Sequence, residues 1–298
     1  MKCLVTGGAG FIGSNLVLEL EKQGHEVVVV VDNLFTGKKE NLRGFKGRFI
    51  EWDICKKKDL GEKFDVIFHE AAITDPRYEG GDTFKKNIEG FNNVINIALK
   101  DNAKLVYASS ASVYGNGPCP MEEDQEKDPQ TDYARSKIEM DRIAETYFKK
   151  MHIVGLRYFN VFGPRESHKG RPASMVYHLR KTMMNGETPR LFKPGTQARD
   201  QIYVKDIVRA NLLALDAPSG VYNVGTGEKI NFSEIVYALN EAMKTDFEIE
   251  YIENPYEEYQ NLSQADTKKA EKYLKFKAEW KFREAVKDYH KWLLKNGE

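Results

Sequence analysis

No excess of charge of either sign is present in this sequence. Lys and Arg together number 45, Asp and Glu also 45, and the formal net charge is +0 at pH 7. No global field therefore draws the chain to nucleic acid or to an anionic membrane, and any anion site must be local. Cysteine is scarce: the 3 residues Cys3, Cys55 and Cys119 follow no metal-ligand spacing. A small odd number argues against a disulfide framework and for reduced thiols, so the expectation is a cytoplasmic protein without a metal site. Long apolar runs are missing as well. None approaches the ~20 residues of a membrane span, and the N-terminus opens on a strand pattern rather than on the layout of a signal peptide. No internal repeat or low-complexity tract occurs. What is there, 298 residues with 41% apolar and 30% charged side chains, has the make-up of an ordinary globular chain with a sizeable core.

The pattern along the chain alternates between strand and helix. Lys2 to Thr6 is a short apolar run that ends in a glycine turn, and Ser14 to Gln23 then has helical spacing through Leu16, Val17 and Leu20. Val27 to Val31, all valine, predicts a strand buried on both faces. Val66 to Phe68, Leu105 to Ala108 and Ile153 to Leu156 predict further strands. Between them lie a helix with the stripe Phe84, Ile88, Phe91, Ile95 and Leu99 and another over Tyr133 to Lys150. Such alternation argues for an α/β fold, a doubly wound parallel sheet with right-handed crossovers. After about residue 163 prolines punctuate and the helices become isolated: Ala173 to Asn185, Val204 to Leu215, a helix opened by the capping box of Asn231 and Glu234, and Phe282 to Leu294. Val221 to Val224 predicts one more strand. The expected division is a dinucleotide-binding domain over 1–163, to which 200–224 returns, and a smaller mixed α/β substrate-binding lobe from 164–199 and 225–298.

Gly7, Gly10 and Gly13 follow a strand and precede a helix, where glycines permit a tight turn and close approach to a pyrophosphate at the helix N-terminus. Asp32 ends the second strand, as an acid that binds ribose hydroxyls does. Its charge favours NAD, yet Lys38, Lys39 and Arg43 follow closely and could accept the extra phosphate of NADP. Asp53 is open between an adenine contact and a solvated loop acid. Tyr133 and Lys137 stand one helical turn apart, and Ser110 closes an apolar strand. A phenol ionises near pH ~10, too high for a base at neutrality, unless a neighbouring ammonium stabilises the phenolate. With Ser110 directing a substrate hydroxyl, the three point to proton abstraction from a secondary alcohol while hydride leaves its carbon.

These motifs, with His69-Glu-Ala-Ala72, Ala108-Ser-Ser-Ala-Ser-Val-Tyr-Gly115 and Arg157-Tyr-Phe-Asn-Val-Phe-Gly-Pro164, resemble the extended short-chain dehydrogenase/reductase superfamily, in particular its nucleotide-sugar epimerases. The resemblance runs over essentially the whole chain. It implies a Rossmann domain, a tightly bound NADP or NAD, and cofactor contacts from Gly7, Gly10, Phe11, Ile12, Gly13, Asp32, Asn33, Lys39, Asp53, Ala71, Ala72, Asn87, Tyr133, Lys137 and Val161. Ala111 and Ser112 stand where the superfamily's 4,6-dehydratases carry an Asp-Glu pair, which speaks against water elimination.

The segment from Asn160 through Lys169-Gly170 to His178 is similar to that of the ADP-L-glycero-D-manno-heptose 6-epimerases. That similarity implies NADP as the cofactor and a second acid/base at Lys169, facing Tyr133. On charge alone Lys169 reads as a solvated loop lysine or a diphosphate contact, and it is the surrounding segment that favours the acid/base role. Nucleotide-sugar contacts are implied from Ser110, Asn160, Lys169, His178, Phe192 and Tyr259, and from Arg199 to the diphosphate. Arg171-Pro172 and Glu258 depart from that family's pattern, and Asp32 to Leu42 resembles NAD-dependent UDP-hexose 4-epimerases just as well. The expected partner is thus a nucleotide sugar, bound by a homo-oligomer. A UDP-hexose 4-epimerase is the alternative, and a cofactor-sensing binding protein a third reading that the intact Ser110, Tyr133 and Lys137 disfavour.

Overall fold

The computed structural model describes residues 1–25, 27–74, 82–255 and 262–297. Its centre is a parallel sheet of β1 (Lys2–Thr6), β2 (Val27–Asp32), β3 (Arg48–Glu51), β4 (Val66–His69), β5 (Lys104–Ser110), β6 (Ile153–Tyr158) and β11 (Gly220–Val224). These form a 7-stranded sheet in the order β11-β6-β5-β4-β1-β2-β3. Val29 and Val31 pack on one face and Val30 on the other, so the strand is buried from both sides at these residues. The α/β, doubly wound class follows from how those faces are covered. Helix α1 (Phe11–Lys22) packs with α5 (Val204–Leu213) over one face, and α2 (Thr83–Asp101) with α3 (Asp132–Glu145) over the other. Each fully buried Leu or Val in these layers contributes about 1.5–3 kcal/mol.

The strand order reverses between β1 and β4, the topological switch point at which such sheets open a crevice. The turn after β1 passes close to the chain leaving β4. A Cβ on Gly7 would lie 2.6 Å from the Ala71 backbone nitrogen, and the φ of +68° there already favours glycine.

The remaining elements are β7 (Asn160–Phe162), β8 (Arg190–Phe192), β9 (Ala198–Arg199), β10 (Gln201–Tyr203), β12 (Ile230–Asn231), β13 (Glu250–Ile252), α4 (Met175–Met184), α6 (Phe232–Met243) and α7 (Phe282–Asn296). The short strands pair as β10–β7, β12–β9 and β13–β8. Helix α6 packs against α4 and α7 around a separate apolar cluster that includes Val176, Leu179, Ile235, Leu239, Val286 and Leu293. The capping box forms, with the Asn231 N–H donating to Glu234 at 2.7 Å.

Several elements differ from the sequence reading. Helix α1 starts at Phe11, directly on the glycine turn, and α3 ends at Glu145, with turns replacing helix over 146–150. Strand β3, with charged residues at both ends, has too short an apolar signature to stand out. The stripe on α2 is rotated: Phe84 and Leu99 are exposed, while Asn87, Gly90, Phe91, Val94, Ile95 and Ala98 are buried. Hydrophobicity misplaces that face because a polar residue and a glycine belong to it. Asn87 is hydrogen-bonded inside, and a Cβ on Gly90 would lie 2.7 Å from Ile54 Cδ1. Among the described residues no helix is long and apolar enough to cross a membrane.

Candidate active site

Two cavities run together across the switch point. The first is lined by Gly7, Gly10, Asp32, Asn33, Trp52, Asp53, Ala71, Ala72 and Asn87, among others. The second is lined by Gly7, Gly10, Phe11, Ile12, Gly13, Ala72, Ser110, Tyr133, Lys137, Val161 and Lys169, among others. They share the glycine turn, so an elongated ligand can pass from Asp32 to Tyr133 without leaving the crevice. The α1 N-terminus points into that passage with no side-chain cap on Gly10 and no acid in its first turn. Its N–H groups and positive dipole end suit a pyrophosphate. Asp32 is 8% exposed and held rigidly: its Oδ2 accepts from the Ala9 N–H at 3.0 Å and its Oδ1 from the Leu34 N–H at 2.8 Å. Burial raises its pKa, and those two hydrogen bonds oppose the rise. Asn87 holds the wall itself, accepting from the Ile73 N–H at 2.9 Å and donating to Ser136 Oγ at 3.1 Å. Together these groups fit a nicotinamide dinucleotide.

On the sheet side, Ser110 ends β5, and Tyr133 and Lys137 share a face of α3. Thr131 caps that helix, its side chain accepting from the Ala134 N–H at 3.1 Å. Lys137 is only 1% exposed, and its Nζ donates to the Ala108 carbonyl at 2.6 Å while lying 5.6 Å from the Tyr133 ring centroid. Burial pushes the Lys137 ammonium down to about 8, with nearby Glu70 and Asp141 opposing. The charges expected to favour a Tyr133 phenolate are Lys137 and the positive nicotinamide ring together. The protein surroundings by themselves raise the Tyr133 pKa through burial, against a hydrogen bond from Ser110 and with the nearby Glu70 charge adding to the rise. The hydrogen bond to the Ala108 carbonyl fixes where the ammonium charge sits beside the Tyr133 ring.

What fixes α3 over the sheet is a buried polar network. Arg157 Nε meets Asp141 Oδ2 at 2.9 Å, Tyr107 Oη donates to Asp141 Oδ1 at 2.9 Å, and Arg157 Nη1 reaches Tyr114 Oη at 2.8 Å. Every member has a partner, the condition under which a buried ion pair specifies a geometry.

The opposite wall is a loop. Lys169 follows β7 and lies with its Nζ 5.3 Å from the Phe11 ring centroid. Glu166 is fully buried and pins this loop. Its Oε1 accepts from the Gly163 N–H at 3.0 Å and the Ser174 hydroxyl at 2.9 Å, and its Oε2 from the Ser174 N–H at 2.7 Å. Burial lowers the Lys169 pKa, with the Glu166 charge opposing. Beyond Lys169 a third cavity gathers Asn160, Val161, Ser174, Arg199, Gln201 and Phe232.

Some expected residues fall elsewhere. Lys39 lines none of these cavities and faces Glu51, with Nζ to Oε2 at 3.5 Å. The His178 ring lies 3.1 Å from the Arg171 carbonyl, and Phe192 sits on β8, both outside the three cavity linings. Tyr259 lies outside the described residues. Glu70, by contrast, lines both main cavities and had been read only as part of a segment. Tyr158 Oη donates to its Oε1 at 2.9 Å, and burial pushes its carboxyl up to about 7 despite Lys137 nearby. A charged residue directly after the wholly buried strand Val66–His69 is the signal that could have singled it out.

Comparison with known proteins agrees with this geometry. The profile of the NAD dependent epimerase/dehydratase family matches residues 3–225. The chain is 41% identical over 289 residues, 89% of each chain, to an ADP-L-glycero-D-manno-heptose-6-epimerase of Brachyspira hyodysenteriae. The crystal structure of the Helicobacter pylori ADP-L-glycero-D-manno-heptose-6-epimerase superposes with a TM-score of 0.91 at 37% identity, covering 97% of this chain and 95% of that one. The UDP-glucose 4-epimerase of Thermotoga maritima, solved with UDP-glucose, gives a TM-score of 0.92 at 30% identity over 100% of both chains. Family profile, chain-wide identity and fold agree, and the chain belongs to the NAD-dependent epimerase/dehydratase family.

Proposed function

We propose that this protein inverts C6″ of an ADP-glycero-manno-heptose by oxidising the carbinol to a ketone and reducing it from the other face. The observation that carries the reading is that Tyr133 and Lys169, from a helix and a distant loop, line one cavity together with Ser110. Inversion needs a proton acceptor and donor for each product configuration. Ser110 orients the hydroxyl, and Tyr133 takes its proton. Lys169, whose ammonium burial brings nearer to neutrality, returns a proton to the oxygen of the other epimer. The bound nicotinamide supplies the hydride sink and source, with no net redox change. Lys137 holds the charge that a Tyr133 phenolate requires, and Arg199 and Asn160 bind the diphosphate side.

Identity favours the heptose reading, since the two 6-epimerases are 41% and 37% identical and the UDP-glucose 4-epimerase 30%. The decisive experiment follows each ADP-heptose epimer by NMR with purified protein. Absence of interconversion, together with turnover of UDP-galactose, transfers the assignment to a UDP-hexose 4-epimerase.

The cofactor is read as NAD rather than the NADP implied by the heptose family. Support comes from the Asp32 carboxylate lining the cavity and from Lys39 turned toward Glu51. Mass spectrometry of the co-purified dinucleotide checks it. The lobe division, 1–163 with 200–224 against 164–199 with 225–298, is supported by β11 lying in the main sheet and by the separate cluster around α6. A cytoplasmic homo-oligomer completes the proposal, with exposed Phe84 and Leu99 on α2 as side chains a second copy would cover; light scattering measures the subunit number.

A further inference from the structure

Buried polar atoms without a partner are uncommon, because desolvation is then uncompensated. Gln201 is such a case: it is 4% exposed, and its Oε1 is buried with no hydrogen-bond partner among the described residues. It opens β10 directly beside Asn160 of β7 in parallel register, so the two side chains share a face. Both line the third cavity with Lys169, Ser174, Arg199 and Phe232. This cavity shares Val161, Lys169 and Pro172 with the one containing Tyr133, so a ligand whose carbinol reaches Tyr133 extends naturally into it.

The neighbours already have tasks. Asn160 Nδ2 donates to Ser263 Oγ at 3.0 Å. The Arg199 guanidinium donates to the Ala198 carbonyl at 2.9 Å and stands 5.6 Å from the Phe232 ring centroid. Arg199 and Lys169 are cations and suit phosphate oxygens. The neutral Gln201 amide, with one acceptor and an NH₂ donor, suits a hydroxyl, which can both give and take a hydrogen bond. We infer that Gln201 is a specificity-determining residue whose side-chain amide hydrogen-bonds a hydroxyl of the nucleotide sugar beside the diphosphate. The inference rests on the nucleotide-sugar reading above. The hydroxyl belongs either to the nucleotide ribose or to the sugar, and the chemistry of the contact is the same.

The test compares wild type, Gln201→Leu and the closer-fitting Gln201→Met, all with cofactor bound and with folding verified by thermal melts. The expected result is a rise of about tenfold in KM for ADP-heptose, the size of one hydrogen bond, with kcat within about threefold of wild type. Calorimetry with ADP separates the sources. A matching loss of ADP affinity, absent when the probe is 2′,3′-dideoxy-ADP, assigns the ribose; unchanged ADP affinity with raised KM assigns the sugar. Unchanged KM in both variants overturns the inference, as does an equal loss of affinity for inorganic pyrophosphate, which would mean a phosphate contact. If wild type turns over UDP-galactose and not ADP-heptose, the heptose reading fails by itself. The Gln201 comparison is then run with UDP-galactose and UDP, and the same outcomes decide it.

Discussion

The two walls of the cavity that Tyr133 and Lys169 line are built in opposite ways. The Tyr133 wall is regular structure, a capped helix anchored to the sheet by the Arg157–Asp141–Tyr107 network. The Lys169 wall is irregular, a single 3₁₀ turn over Ser167–Lys169 tied to several neighbours: Glu166 accepts from Gly163 and Ser174, Asn15 donates to the Pro164 carbonyl, and Arg165 donates to the Asn41 carbonyl. Both place a titratable side chain, in each case shifted by burial, on the same cavity. The difference teaches that a site wall can be positioned by a periodic scaffold or by an irregular segment whose polar groups are tied to several neighbouring elements.

The sharpest break in that comparison is Tyr133→Phe. It should cut kcat by about 10³–10⁴-fold while leaving cofactor content and the urea midpoint near wild type; retained turnover would exclude Tyr133 as the acid/base. Next comes Arg157→Met, which leaves Asp141 buried without its cation. Denaturant melts should show a loss of about 3–5 kcal/mol. A change under about 1 kcal/mol would mean that the network does not anchor α3. Lys169→Met should lower kcat by about 100-fold. Should KM rise with kcat unchanged, Lys169 is a diphosphate contact and the walls are not chemically equivalent.

The smallest effect concerns pH. Lys137 carries its charge below about 8, so kcat should fall as pH rises through that value. The groups facing Lys137 are Glu70, Asp141, Tyr133 and His69. His69 is pushed down to about 3 by burial and stays neutral here. Glu70 and Asp141 favour the charged ammonium. Glu70→Gln therefore moves the alkaline limb of the kcat profile to lower pH, and a limb that stays in place would show that the Glu70 charge does not act on Lys137.

Legibility followed the same divide. Ser110, Tyr133 and Lys137 were readable because a strand and a helix have fixed periods, so spacing reports which side chains share a face. The glycine turn was readable because only glycine tolerates the approach of Gly7 to Ala71. The buried face of α2 was misread, since Asn87 and Gly90 sit where apolar residues would be expected, for reasons that lie in Ile73, Ser136 and Ile54. Lys39 followed the acid in sequence but turned to Glu51, a choice no local pattern records. Gln201 and Glu70 looked like ordinary polar residues until the cavities placed them.

By itself the sequence determined the parallel class of the sheet, most of its alternation of strands and helices, and the shared face of Tyr133 and Lys137 on α3, because hydrophobic period and turn chemistry are local properties of the chain. Only the tertiary structure decided which carboxylates and amides lose their water, and which of the distant residues line the cavity beside Tyr133. Desolvation and long-range contact depend on everything packed around a group, and no stretch of sequence contains that environment.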